Sequence, residues 1–208
     1  NFSGKSMLWK LKPTAAKEFI EQFPEYNPVV LELLSRREIV TQEKIDEFFN
    51  PDYEDLLDPF LMLGMREAVG RLNEAIDKKE KIAIFGDYDA DGVCGSVVLK
   101  AALEELGADL SGGIYVPDRV KEGYGLNQDA IKKMARGKVK LLITVDCGIS
   151  ENVDIDFANF LGLEVIVTDH HQPGKKLPKA KAIINPWQLK DKYPFKELAG
   201  VGVAFKLA

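Results

Sequence analysis

The sequence predicts an α/β fold in which a mostly parallel sheet is flanked by helices and preceded by a short helical lead-in. Five short apolar segments have the length and composition of buried strands, and segments of helical length separate them. Strands that alternate with helices pair in parallel through right-handed crossovers. The strands are predicted at 81–85, 112–116, 140–145, 163–168 and 181–185, and the intervening helices at 93–106, 127–136 and 150–161.

Residues 1–60 are predicted to form the helical lead-in and a linker, and residues 61–208 the sheet domain. Three short helices are expected in the lead-in, capped by Thr14, Asn27 and Thr41, whose side-chain oxygens can accept the free N–H groups of a first turn. A longer helix follows with four apolar residues on one face, namely Met65, Val69, Leu72 and Ile76. The initial segment NFSGKS is predicted to be unstructured. The chain stops within a predicted helix, so we expect it to be a fragment of a longer protein, with its sheet domain truncated at the C-terminal end.

The composition is that of a globular protein without a membrane segment. Hydrophobic residues make up 46% of the 208 residues, and no run approaches the roughly 20 apolar residues of a membrane helix. Cys94 and Cys147 are far apart and are expected to be reduced, buried small residues of a cytoplasmic protein. The net charge of −5 argues against a non-specific polyanion-binding surface, although it leaves room for a local basic groove or for bound metal ions.

Acidic and histidine side chains follow three of the predicted strands at the points where those strands end. They are Asp87, Asp89 and Asp91 after the first strand, Asp146 after the third, and Asp169, His170 and His171 after the fourth. In open parallel sheets the carboxyl ends of the strands share one edge, where ligands bind. The sequence therefore predicts that five carboxylates and two imidazoles converge there. A single Asp at such a position is more often a helix cap, but capping does not account for the whole set.

A converging set of carboxylates favours a metal centre. Neighbouring carboxylates repel one another, which raises their pKa values unless a cation neutralises them. A mixture of carboxylate and imidazole ligands suits manganese, iron or zinc, and no thiolate pair is present to select zinc. Two ions about 3.5–4 Å apart, bridged by one carboxylate, are suited to the hydrolysis of phosphoesters.

Three other known motifs resemble parts of the sequence but do not fit it. The run D-x-D-x-D-G at 87–92 is the first half of an EF-hand calcium loop, but Val98 stands where a bidentate Glu is needed, and a predicted strand precedes the run instead of a helix. GVGVAF at 200–205 is not a dinucleotide fingerprint, because Phe205 occupies its third glycine position. A haloacid-dehalogenase-like phosphatase also begins with D-x-D after a strand, but it has no use for acids and histidines at a later strand end.

Five segments match, in order and approximate spacing, those of the DHH phosphoesterases: FGDYDADG, VPDRVKEGYGLN, TVDCG, TDHH and LAGVGVAFK. Over residues 8–208 the sequence most resembles the RecJ-type single-strand-specific exonucleases of that superfamily. The resemblance implies metal-dependent hydrolysis of phosphodiester bonds in single-stranded DNA, from 5′ to 3′, in DNA repair and recombination. It also implies Mn²⁺ or Mg²⁺ as cofactor, with two ions bound. The implied partners are single-stranded DNA and replication or repair proteins.

The resemblance also implies a role for each residue at the strand ends. Four residues resemble metal ligands, namely Asp89, Asp91, Asp146 and His170, with Asp146 in the position that bridges two ions. The catalytic positions are Asp87, Asp169 and His171. Of these, Asp87 is a further ligand or an acid just outside the ligands, Asp169 orients the histidines, and His171 faces the substrate phosphate.

Two residues away from the strand ends are implied to contact substrate. Arg119, in PDRVKEGYG, would contact phosphate, with a structural ion pair as the alternative. Tyr124 would stack on a base, with packing in its turn as the alternative. Four lysines follow the histidine pair, namely Lys175, Lys176, Lys179 and Lys181. They line an approach groove or form a solvated loop, and the loop is the stronger expectation.

Two differences from the family pattern bear on function. A further Asp ligand of the family would fall after Ala208, so this chain alone is expected to be weakly active or inactive. The oligoribonucleases, cyclic-dinucleotide phosphodiesterases and family II pyrophosphatases have a His four residues before the first ligand Asp, where this sequence has Phe85. That difference favours the RecJ branch over an oligoribonuclease or nucleotide phosphodiesterase. An inactive replication scaffold is the remaining alternative, but such relatives lose acids or histidines that this chain keeps.

Overall fold

The computed structural model describes residues 13–208, so the expectation for NFSGKS lies outside the described residues. It confirms the α/β fold, with five strands in one parallel sheet of order β2-β1-β3-β4-β5. The strands are β1 (Ile82–Gly86), β2 (Ile114–Tyr115), β3 (Leu141–Val145), β4 (Glu164–Thr168) and β5 (Ala182–Ile184). The helices are α1 (Lys17–Gln22), α2 (Pro28–Ser35), α3 (Gln42–Phe49), α4 (Met65–Asp77), α5 (Ala90–Glu105), α6 (Gln128–Arg136), α7 (Asn152–Phe160) and α8 (Gly200–Leu207).

The chain divides between Leu57 and Asp58 into an amino-terminal unit, which contains α1 to α3, and a sheet unit, which contains the rest. The predicted boundary after residue 60 falls within a short 3₁₀ turn, Pro59–Leu61, of the sheet unit. Within residues 13–208, no helix is long and apolar enough to cross a membrane.

The amino-terminal unit is a set of three short helices around a small apolar core. Asn27 caps α2 by accepting the N–H of Val29 at 2.9 Å, and Thr41 caps α3, as predicted. The prediction that Thr14 caps α1 is wrong, because α1 begins at Lys17 without a side-chain cap. The N–H of Ala15 instead donates to the Glu32 carboxylate at 2.5 Å, and the chain stays extended up to the start of α1. The core consists of Phe19, Phe23, Leu31, Leu34 and Ile45.

The central strands of the sheet unit are buried on both faces. All residues of β1 and β3 are buried, which explains their continuous runs of apolar side chains. Helices α6 and α7 pack on one face, against a cluster that includes Phe85, Leu142 and Val167. Helix α5 packs against β1 and β3, and α4 against β5. The start of α8 lies at the carboxyl edge of the sheet, next to the residue that follows β3.

Strand β2 and Cys94 differ from the sequence-based expectations. Strand β2 is shorter than predicted because Gly113, with φ of +77°, has a backbone conformation that strands do not adopt. Cys94 is exposed on the outer side of α5, so the prediction that it is buried was wrong, whereas Cys147 is buried as predicted. Both cysteines are free thiols.

Helix α4 is joined to the sheet by a buried cation. Met65 and Leu72 are buried on its predicted apolar face. Arg71, with a side chain only 4% exposed, forms ion pairs with Glu80 at 2.5 Å and with Glu164, the first residue of β4. These bonds and charges raise the pKa of Arg71 against the opposing effect of burial, so the guanidinium stays charged inside the protein.

Candidate metal centre

The register of the sheet places three acids next to one another. The last residues of β1, β3 and β4, namely Gly86, Val145 and Thr168, are aligned across the strands. The ladder continues one residue further, because the N–H of Asp87 donates to Val145 O at 3.1 Å and that of Asp146 donates to Thr168 O at 2.9 Å. Asp169 continues the row in the same way toward β5. The backbone therefore fixes the spacing of Asp87, Asp146 and Asp169.

Asp146 is at the centre of this row and is 2% exposed. Its φ of 63° lies in the left-handed region, which is uncommon for a residue other than glycine and typical of functional sites. Its Oδ1 is buried without a hydrogen bond, 3.1 Å from Nε2 of His170. Burial, and then the charges of Asp91 and Asp89, raise the pKa of Asp146 to about 7. A buried anionic oxygen that lacks a donor is a natural ligand for a cation.

The side chains at this edge form two possible ligand groups that share Asp146. One group is Asp146, His170 and His171, and the other is Asp87, Asp89 and Asp146. Within each group the candidate ligand atoms lie within 4.8 Å of one another. The shared carboxylate corresponds to the bridging role expected for Asp146.

The loop between β1 and α5 combines helix capping with the ligand group of Asp87, Asp89 and Asp146. Oδ1 of Asp89 caps α5 by accepting the N–H groups of Asp91 at 2.9 Å and Gly92 at 3.0 Å. Oδ1 of Asp87 accepts the N–H of Tyr88 at 2.7 Å, and burial raises the pKa of Asp87. A Cβ on Gly92 would lie 2.6 Å from the backbone N and O of Asp87, so the tight strand-to-helix turn requires glycine there. Capping and ligand positions therefore coincide in this loop.

Asp91, which the sequence predicts to be a metal ligand, is a member of neither of these two ligand groups. Its Oδ2 accepts the N–H of Gly200 at 2.7 Å, and its Oδ1 accepts that of Val201 at 2.6 Å. Oδ2 also lies 3.6 Å from Nε2 of His170, which points toward the same centre. Asp91 therefore connects the start of α8 to the histidine.

Asp169 is buried and holds both histidines. Its Oδ1 accepts the backbone N–H groups of His170 at 2.7 Å and His171 at 3.0 Å, and lies 2.7 Å from Nδ1 of His171. Its Oδ2 accepts the N–H of Ile149 at 2.9 Å. Although burial opposes it, the hydrogen bond with Asp169 raises the pKa of His171. These contacts support the expectation that Asp169 orients the histidines.

Tyr124 and Arg119 belong to a group of aromatic and cationic side chains beside the acids. The Tyr124 hydroxyl donates to the backbone oxygen of Asp146 at 3.1 Å and lies 3.4 Å from Nδ1 of His171. Burial raises the pKa of Tyr124, so it stays a neutral donor. The exposed Arg119 has its guanidinium carbon 5.1 Å from the centre of the Tyr88 ring. No ion pair of Arg119 occurs among the described residues, which disfavours the structural ion-pair alternative.

Sequence reasoning did not single out Glu151, which lines a cleft with Tyr124 and His171. Its Oε2 accepts the N–H of Leu126 at 2.9 Å, and burial raises its pKa to about 7. Glu151 therefore ties the Tyr124 loop to the loop that follows β3. The available signal was its place five residues after Asp146, in the same strand-end segment.

Two of the lysines that follow the histidine pair form ion pairs away from the acids. Lys181 directly precedes β5 and pairs at 3.3 Å with Glu164, so it lies at the amino edge of the sheet, opposite the site. Lys179 pairs with Asp156 of α7 at 3.7 Å. For Lys181, the groove alternative is therefore wrong.

A parallel α/β sheet whose carboxyl edge brings together acids and a histidine pair defines a class of metal-binding hydrolytic domain. The chain belongs to the DHH family, because the model of that family's N-terminal domain matches residues 81–208.

Curated relatives share this family. The chain is 45% identical over 205 residues to the single-stranded-DNA-specific exonuclease RecJ of Bacillus subtilis, covering 97% of this chain and 26% of that protein. It is 43% identical over 145 residues to the protein of the same name from Escherichia coli, covering 69% of this chain and 25% of that protein. The chain thus spans about a quarter of the length of these relatives.

Solved structures show the same architecture. A crystal structure of exonuclease RecJ bound to manganese matches with a TM-score of 0.65 at 37% identity, over 73% of this chain and 38% of that one. The structure of RecJ in complex with Mn²⁺ from Thermus thermophilus also has a TM-score of 0.65, at 30% identity, over 91% of this chain and 26% of that one.

Proposed function

We propose that the whole protein hydrolyses phosphodiester bonds in single-stranded DNA in a metal-dependent reaction, and that this chain supplies most of its metal centre. The observation that carries the proposal is the aligned row of Asp87, Asp146 and Asp169, with His170 and His171 beside Asp146. The names of the B. subtilis and E. coli relatives support single-stranded DNA as the substrate.

The residues present fit divalent metal ions. Asp146 has a buried oxygen without a donor, and the two ligand groups meet at its carboxylate. Carboxylate and imidazole donors without thiolates suit Mn²⁺, and structures of RecJ have been obtained with Mn²⁺ and with Mg²⁺. Asp87, Asp89 and Asp146 would hold one ion, and Asp146, His170 and Asp91 or His171 the other. When bound, such ions neutralise the charge that develops on phosphate and make water a stronger nucleophile.

The remaining side chains of the site position substrate and protons. Asp169 fixes the ring of His171 at the open side of the acid row, where a phosphate would approach. The Tyr124 hydroxyl holds the backbone of Asp146 in its left-handed conformation. The half-exposed ring of Tyr124 offers a stacking surface for a base, and Arg119, which lies over the neighbouring Tyr88 ring, offers a cation for phosphate. Such contacts favour single strands and carry little sequence preference.

The proposal extends to the setting of the reaction. The family resemblance supports 5′ to 3′ digestion, action in DNA repair and recombination, and replication or repair proteins as partners. The two free cysteines suit a reducing compartment, which supports a cytoplasmic location.

The test is Mn²⁺-dependent release of nucleotides from labelled single-stranded DNA by the full-length protein, compared with Asp146→Asn. Asp129→Asn is the matched control, since Asp129 is exposed and pairs only with Lys132 on α6 among the described residues. We expect the Asp146 variant to lose activity and the control to keep it. Cleavage confined to short oligoribonucleotides or pyrophosphate would assign the protein to another branch of the superfamily. No hydrolysis with any divalent metal would support the inactive scaffold.

A further inference from the structure

The segment GVGVAF, which has no role in the dinucleotide or metal interpretations, forms the first turns of α8 against the acids. The N-cap residue of α8, Ala199, provides no side-chain cap. The first N–H groups of the helix, those of Gly200 and Val201, donate instead to the two oxygens of Asp91, at 2.7 and 2.6 Å. Asp91, in the first turn of α5, therefore caps α8, which begins more than 100 residues after Asp91.

Gly200 is also in close contact with the central acid. A Cβ at position 200 would lie 2.5 Å from Oδ1 and 2.7 Å from Cγ of Asp146. Gly200 does not have a positive φ, so alanine is excluded by this contact and not by the backbone conformation. The helix can approach Asp146 only because residue 200 has no side chain.

The same close approach continues along α5. A Cβ on Gly95 would lie 3.2 Å from Cα of Val201 and 2.7 Å from a methyl group of Val145. Small residues on both helices thus let α8 lie close to α5 and to the end of β3. The position of α8 is fixed from two sides, by packing and by the hydrogen bonds to Asp91.

The contacts of α8 set the geometry between two expected ligands. Asp91 points its Oδ2 toward Nε2 of His170 at 3.6 Å, and His170 lies 3.1 Å from Oδ1 of Asp146. The start of α8 contacts Asp91 through its N–H groups and Asp146 through Gly200. A shift of the helix therefore changes the separation of the two carboxylates.

We propose that Gly200 and the first N–H groups of α8 are positioning elements of the metal centre, which hold Asp91 and Asp146 at the separation that a divalent ion requires. This inference rests on the proposed function, because it assumes that the acids bind metal. It assigns the first two residues of GVGVAF, Gly200 and Val201, to metal affinity.

The test is direct Mn²⁺ binding, in which free Mn²⁺ is measured by electron paramagnetic resonance during titration of the full-length protein. Gly200→Ala is compared with Gly202→Ala, in the same helix, where a new Cβ would meet only the flexible Leu198 side chain, at 3.0 Å. We expect at least tenfold weaker Mn²⁺ binding for Gly200→Ala and less than a twofold change for Gly202→Ala. Activity of Gly200→Ala should recover as Mn²⁺ is raised, with the KM for DNA unchanged.

A second variant separates positioning from folding. Val201→Pro removes one donor to Asp91 at the second position of α8, where the N–H has no partner within the helix. It leaves residue 200 as glycine, which has no Cβ to clash with the proline ring. It should also weaken Mn²⁺ binding, and it decides the question if Gly200→Ala does not fold. Wild-type Mn²⁺ affinity in the folded variants would overturn the positioning role while leaving the proposed function intact. Absence of Mn²⁺ binding by the wild-type protein would overturn the proposed function itself.

Discussion

Replacement of Asp169 by asparagine tests how far one buried carboxylate organises the site. The carboxylate accepts three hydrogen bonds at Oδ1, from His170 and His171, and one at Oδ2, from Ile149. An asparagine has only one acceptor oxygen. If that oxygen faces the histidines, the amide NH₂ faces the N–H of Ile149, and a buried donor loses its partner.

The magnitude follows from these four bonds. An unpaired buried donor costs about 1–3 kcal/mol. The three remaining bonds lose the assistance of a charge, which makes each weaker by roughly 0.5–1 kcal/mol. Relief of repulsion between Asp169 and the acids beside it offsets about 1 kcal/mol. We therefore expect Asp169→Asn to lower the free energy of unfolding by about 1.5–5 kcal/mol. Because the ring of His171 also loses its fixed orientation, we expect a loss of roughly 10- to 100-fold in activity.

The stability change is measured by urea unfolding of the 208-residue chain, followed by circular dichroism, and the activity change by nucleotide release from single-stranded DNA by the full-length protein. Asp156→Asn is the control, because the Asp156 side chain is 44% exposed and its one ion pair, with Lys179, is long at 3.7 Å. It should change the free energy of unfolding by less than about 1 kcal/mol. Wild-type stability and activity in Asp169→Asn would refute the orienting role.

Three further changes test other parts of the molecule. Arg71→Met should lower the free energy of unfolding by about 2–3 kcal/mol in urea, because it leaves Glu80 without its cation and Glu164 with only the half-exposed Lys181. Gly92→Ala should cost about 1–3 kcal/mol in the same assay and weaken Mn²⁺ binding, since its Cβ would press on backbone that cannot move aside. Glu151→Gln should flatten the pH dependence of stability. The folded-state pKa of Glu151 is raised by burial from 4.5 to about 7, so in the wild type its contribution is fully present below pH 4.5 and is lost as the pH rises through 7, by roughly 3 kcal/mol.

Each of these expectations has a contradicting result. Arg66→Ala is the control for Arg71, since Arg66 lies on the same helix but contacts the Phe60 ring at the surface, and equal losses in both variants would contradict the role of the buried ion pairs. Unchanged Mn²⁺ binding in Gly92→Ala would show that the turn adjusts. A pH profile for Glu151→Gln identical to that of the wild type would show that another group titrates in this range.

The strand-end acids were predictable because their placement depends on a regular element. A parallel sheet brings the carboxyl ends of its strands to one edge, so the positions of Asp87, Asp146 and Asp169 follow once the strands are recognised. The caps of α2 and α3 were predictable for the same reason, because they depend on the residues of one turn.

Contacts between distant segments were not predictable from local pattern. The hydrogen bonds from α8 to Asp91 join parts of the chain more than 100 residues apart. The failure of Thr14 to cap α1 depends on Glu32, which lies in the next helix and binds Ala15. Burial of Glu151 likewise depends on the loop that carries Leu126. Each of these outcomes is decided by tertiary packing, which single-sequence propensities do not contain.

The row of acids also has a consequence for the order of events during folding. Asp87, Asp146 and Asp169 come from three strands that are far apart in the sequence, and non-local pairing of parallel strands is slow because loop closure precedes its stabilising contacts. A chain that has paired only β1 and β3 lacks both histidines at that edge. The proposed ligands of this chain therefore come together only after β4 has docked. Under the proposed function, the metal centre would therefore form late, when the central strands that shield the core are already paired.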